Sequence, residues 1–114
     1  VKVSLQSAVE EFVLGYMIKD ALGQTIFGTN TWHTHQTLHD LKAGLEVCAD
    51  IKFAANLGPG SYSVAIAVHA SDTHVAENYE WRDLALVFSV VNVDKNDFVG
   101  CNWMEPTITL CLTP

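Results

Sequence analysis

The chain has 114 residues, 49 % hydrophobic and 17 % charged, and a formal net charge of −7 from 13 acidic and 6 basic side chains. That length suits a single domain, expected to span residues 1–114, and that apolar share suits a packed core rather than disorder. The acidic balance, with no run of Lys or Arg, excludes the phosphate-neutralising surface of a nucleic-acid binder and disfavours an anionic membrane surface.

No apolar stretch approaches the roughly 20 residues of a membrane-spanning helix, so no direct membrane insertion is expected. No signal-peptide pattern is seen at the start. Val1 already lies inside an alternating pattern, so the chain is expected to be a domain excised from a longer protein. The three cysteines, Cys48, Cys101 and Cys111, are odd in number and show no CxxC spacing. They read as small hydrophobes in a reducing compartment rather than as a disulfide framework or zinc knuckle.

Taken in chain order, the elements read as strands. Val1, Val3 and Leu5 alternate with Lys2, Ser4 and Gln6. Residues 12–20 follow, with Val13, Gly15 and Met17 on the outward face. Leu22-Gly23-Gln24 marks a turn, and Ile26-Phe27 returns as a strand. Leu45, Val47, Ala49, Ile51 and Phe53 alternate with polar residues or Cys48, and Asn56-Leu57-Gly58-Pro59-Gly60 is a second turn. Tyr62, Val64, Ile66 and Val68 form one buried series and Leu84, Leu86, Phe88 and Val90 another. Asp94-Lys95-Asn96-Asp97 turns the chain, and Ile108, Leu110 and Leu112 give a last alternation. Period two marks strands with one buried face, and seven or eight of them at this spacing predict an antiparallel β-sandwich. The outward residues Ala65, Ala67, Ala85, Val87 and Val91 are small or apolar. Either those strands are central, under loops, or a second chain or a flat ligand covers that face.

The run TNTWHTHQTLHD, residues 29–40, holds His33, His35 and His39. Catalytic zinc needs three ligands and an open position, but these residues read as a loop, and on an extended strand His39 would stand about 20 Å from His33. Solvated loop histidines able to touch a ligand are expected, with no metal and no cofactor. Neither GxxxxGK[ST] nor GxGxxG is present, and no GxSxG elbow, so nucleotide binding and serine hydrolysis are not expected of this segment. Glu77, Glu80 and Asp83 read as a solvated strand end. Trp32, Trp81 and Trp103 lie beside polar groups: Asn30 and His33, Glu80 and Arg82, Asn102 and Glu105. Indole faces beside amides, carboxylates and imidazoles suit sugars, because the ring packs on a pyranose while polar groups bond the hydroxyls.

The stretch GYMIKDALGQTIFGTNT, residues 15–31, narrows the reading. It resembles the C-terminal domain of Wzt-type proteins, the ATP-binding subunits of ABC transporters that export O-antigen polysaccharide. Members carry G-[FY]-x-I-[RK]-[DN] followed by x-L-G-Q-x-[IV]-F-G-T-N-T. The turn at Leu57-Gly58-Pro59-Gly60-Ser61-Tyr62 and the late Asn-Asp-Phe-Val-Gly stretch are also similar. The resemblance implies an immunoglobulin-like β-sandwich that is not an enzyme. It would bind the O-polysaccharide, recognise its non-reducing end and so gate export. It implies a homodimer, with residues 107–113 a candidate strand exchanged between chains. It also implies a partnership with the transporter's membrane subunit, at the cytoplasmic face of the bacterial inner membrane. Gly23 and Gly28 read as backbone necessities, and Thr29 and Asn30 as turn caps. The glycan is expected on an exposed sheet face carrying Trp81, Trp103, Asn102, His69 and Tyr79, with Trp32 and His33 reaching it from the loop. Two alternatives remain: a protein-interaction or dimerisation sandwich without sugar binding, and a small metal-dependent enzyme built on the histidine loop.

Overall fold

The computed structural model describes residues 1–72 and 75–114, with side chains at all of these except 72 and 75–79. Its strands are β1 (Lys2–Ser4), β2 (Val9–Asp20), β3 (Thr25–Asn30), β4 (Leu38–Leu41), β5 (Glu46–Cys48), β6 (Gly60–Asp72) and β7 (Val75–Val90). One sheet has the order β3-β2-β6-β7, with β4 also paired to β2; the other is the pair β1-β5. Every pairing is antiparallel. The two sheets form an immunoglobulin-like sandwich.

Alternation decides what is buried. On β2, Phe12, Leu14 and Ile18 turn inward, and on β6, Tyr62 and Val64 do the same. At one end Leu5, Val9, Phe12 and Leu14 pack together under Val3, Val47 and Ile51. At the other, Ile18, Leu57, Tyr62 and Val64 pack with Ile26, Phe88 and Val90. The buried Tyr62 hydroxyl donates to the Gly58 carbonyl at 2.6 Å, which gives the phenol the partner that burial demands. Desolvation pushes its pKa up.

The Asp20 carboxylate organises the β2–β3 turn by accepting from the amides of Leu22 (2.9 Å) and Gln24 (2.8 Å). Gly23 takes φ +81°, which a side chain would oppose.

Three sequence expectations change. The strand read over residues 45–53 is regular only at Glu46–Cys48. Beyond it the chain crosses the sheet as irregular backbone, with Phe53 stacked 6.0 Å from Tyr16 and tilted 6.3 Å from Phe88. Gly28 has no backbone need, since an added Cβ would meet only ordinary contacts; Gly15 is the constrained one, at 3.1 Å from Asn30 Cβ and 3.2 Å from Thr29 O. Finally, a bulge in β7 sets Asp83, Leu84 and Ala85 between the pairs Ile66–Arg82 and Val64–Leu86, with Leu84 at φ +51°. The bulge adds two residues and leaves the alternation on either side in phase, so Leu84, read as part of the buried series, is exposed, while Ala85, also exposed, lines an open hollow with Ile66 and Val68.

Candidate functional site

The outer face of the larger sheet is concave, and its register explains why. Asn30, Gly15, Ala67 and Trp81 lie in one row across β3, β2, β6 and β7. Three strand spacings make that row ~14 Å wide. Its middle is floored by residues with almost no side chain, and Ala65 and Gly28 extend that floor. Trp81 rises on one side, His33 and Asn30 on the other, and His69 and Met17 close the ends. The concavity encloses about 460 Å³ and is mostly apolar, with few polar groups aimed into it. Small-ligand sites commonly have this size and character.

Trp81 is held from two directions. The Lys19 ammonium sits 5.4 Å from its ring centroid, and its side chain is hydrogen-bonded to the Asp83 carboxylate. Lys19 Nζ also bonds Asp83 Oδ1 at 3.2 Å, closing a triangle of ammonium, carboxylate and indole. The Trp81 bond first, and Lys19 second, hold the Asp83 carboxyl below the usual carboxylate range. The β7 bulge brings Asp83 to this position, as bulges beside sites often re-aim a side chain.

The histidine loop forms the opposite wall. β3 and β4 pair with successive halves of the same β2 edge, and residues 31–37 bridge them. Backbone bonds fix that bridge: Leu14 N–H donates to Thr31 Oγ1 (3.0 Å) and Thr31 N–H to Leu14 O (2.8 Å). Asn30 Oδ1 accepts from His33 N–H at 2.8 Å, and Gln36 N–H donates to Thr31 O at 2.6 Å. Asn30 is thus the turn cap read from the sequence, whereas Thr29 belongs to β3 and lines the concavity. Trp32, His33, His35, Thr37 and His39 line a second open pocket of about 450 Å³. Among the described residues no group of three or more His, Cys, Asp or Glu is placed to hold a metal ion.

Of the site residues read from the sequence, His33, His69 and Trp81 converge on the concavity, and Trp32 stands next to it beyond His33. Trp103 and Asn102 lie elsewhere. Trp103 N–H donates to Asn56 O at 2.8 Å, its ring packs 5.2 Å from Phe98, and Asn102 bridges to Leu57. They strap residues 98–103 against the 56–58 turn, and Gly58 admits no side chain because a Cβ there would run into the Gly100 carbonyl. The Tyr79 side chain lies outside the described residues; its backbone pairs with His69. Sequence reasoning missed the roles of Lys19 and Asp83 beside Trp81, and read Asn30 as a cap without placing it in the wall of the concavity. The small outward residues of β2 and β6 were the visible signal of the floor.

An immunoglobulin-like sandwich with one open, tryptophan-walled sheet face is the class of domain these features define. The chain belongs to the Wzt C-terminal domain family, whose model matches residues 1–104. Among solved structures, the crystal structure of the C-terminal domain of Wzt is similar with a TM-score of 0.77 at 18 % identity. That match covers 96 % of this chain and 66 % of the other, so the chain spans about two-thirds of it. No curated protein matches. Among the described residues no helix is long and apolar enough to cross a membrane.

Proposed function

We propose that this chain is a non-catalytic glycan-binding domain, residues 1–114, of an O-antigen polysaccharide ABC transporter. It reads the non-reducing end of the polymer and so gates export. The observation that carries the reading is the small-residue floor of Gly15, Ala65 and Ala67 set between Trp81 and the imidazoles of His33 and His69. A pyranose needs such a flat floor, an aromatic face and a few polar groups for its hydroxyls. Membership of the Wzt C-terminal domain family supports the transporter setting. In that setting the domain works at the cytoplasmic face of the inner membrane, beside the transporter's membrane subunit, with ATP hydrolysed elsewhere in the protein. The net charge of −7 favours a mostly neutral polymer over a heavily phosphorylated one.

The same reading includes a homodimer with an exchanged last strand. Residues 104–114 are all exposed, and Ile108, Leu110 and Leu112 alternate along them. The Cα radius of gyration is 19.4 Å, against ~13 Å for a compact chain of this length, so the tail leaves the body. β7 is an open sheet edge carrying exposed Leu84, Leu86 and Val87, which a partner's strand would cover. That apolar edge also favours the second reading, an interaction sandwich that binds only protein.

Calorimetric titration with the source strain's O-polysaccharide, intact and with its non-reducing terminus removed, tests the function. Heat with the intact polymer alone is expected. No heat with either polymer leaves the interaction reading. Sedimentation of the chain with and without residues 104–114 tests the dimer, which truncation is expected to dissolve.

A further inference from the structure

The concavity and the histidine-loop pocket are separate hollows that share one wall, His33. Trp32 stands on the far side of that wall, 62 % exposed, its ring edge-on to His33 with centroids 5.1 Å apart. His39 pairs with Glu11 on β2, four residues before Gly15 on the floor, or ~13 Å along the strand. That distance exceeds what one pyranose ring spans. The loop between is braced by its own hydrogen bonds, including Thr34 Oγ1 to Gln36 Oε1 at 2.8 Å, so Trp32 is held out rather than packed away. An exposed indole on a braced loop, beside two further imidazoles and the Thr37 hydroxyl, repeats the chemistry of the concavity: an aromatic face with donors and acceptors around it.

We propose that the glycan site continues past His33 into this loop pocket. The domain then holds an oligosaccharide of two or more residues, one ring against Trp81 and a later one against Trp32. This deepens the glycan-binding function proposed above and rests on it. The three loop histidines become part of a sugar track rather than a metal centre. His33 is the shared element, touching the ring on either side.

The test uses mono-, di-, tri- and tetrasaccharides prepared by graded hydrolysis of the source strain's O-polysaccharide, titrated into the wild-type chain, Trp32→Ala and His39→Ala. Affinity is expected to rise with length. Trp32→Ala is expected to lower tetrasaccharide affinity roughly tenfold while leaving the shortest bound fragment unchanged, and His39→Ala to act the same way more weakly. Both side chains are exposed, and backbone amide spectra check that each variant folds. If short and long fragments bind wild type equally and both variants are silent, the extended track is wrong while glycan binding stands. If no fragment of any length binds wild type, the glycan reading itself falls, and the track with it.

Discussion

Replacing Trp81 by Ala tests the floor-and-wall account of the concavity. Trp81 is 39 % exposed. For an indole of roughly 250 Å², that leaves ~100 Å² for a ligand to cover. At ~25 cal/mol per Å², full coverage contributes about 2.5 kcal/mol and half coverage about 1.2. The expected loss of affinity is therefore roughly 8- to 70-fold. Trp81→Phe keeps an aromatic face but loses the bond to Asp83, and should fall between Ala and wild type. Calorimetric Kd values for the three proteins are the assay, with Trp103→Ala as comparison, because Trp103 packs on Phe98 outside the concavity. An unchanged Kd for Trp81→Ala, in a variant with a native spectrum, would refute the reasoning; so would an equal loss in a folded Trp103→Ala.

Other consequences concern what holds the site. Tyr62→Phe deletes the buried bond to Gly58 and should cost ~1–2 kcal/mol in urea unfolding. Gly58→Ala forces a methyl into the Gly100 carbonyl and should cost more, about 1–3 kcal/mol, freeing residues 98–103 first. Asp83→Asn removes the charge that anchors Trp81. The Asp83 carboxyl titrates below its unfolded value, so its stabilising effect is present above pH ~4 and fades as pH falls through the lower folded value. Melting curves of wild type and Asp83→Asn should therefore differ at neutral pH and converge in acid. The difference should also shrink in high salt.

How much of this was legible depends on whether the reason for a residue was local. Tyr62, Val64, Ile66 and Val68 gave β6 because the alternation puts all four against the core, the first two buried and the last two half-buried. Leu22-Gly23-Gln24 gave the hairpin because turn chemistry acts within four residues. Ala49 still exchanges backbone hydrogen bonds with Val1, but residues 50–53, which alternate just as well, belong to no strand, and Phe53 packs by ring contacts instead, which no pattern records. The β7 bulge was hidden for a similar reason: its two extra residues leave the alternation on either side intact, yet they expose Leu84 and bring Asp83 to Trp81. For the site, outward small residues announced a covered or ligand-bearing face, but exposed chemistry alone did not separate Trp81 from Trp103. Only the pairing of Trp81 with Ala67, and of Trp103 with Asn56, tells them apart. The histidine run drew attention by its density in sequence, while its geometry is that of an open pocket beside the face.

The most direct test of the central claim is a chemical-shift map of the chain titrated with the source strain's intact O-polysaccharide. The account predicts shifts at Gly15, Ala65, Ala67 and His69, at the Trp81 indole and across the loop at His33, and predicts that they vanish when the non-reducing terminus is removed. Shifts centred on Phe98 and Trp103, or no shifts with either polymer, would contradict it.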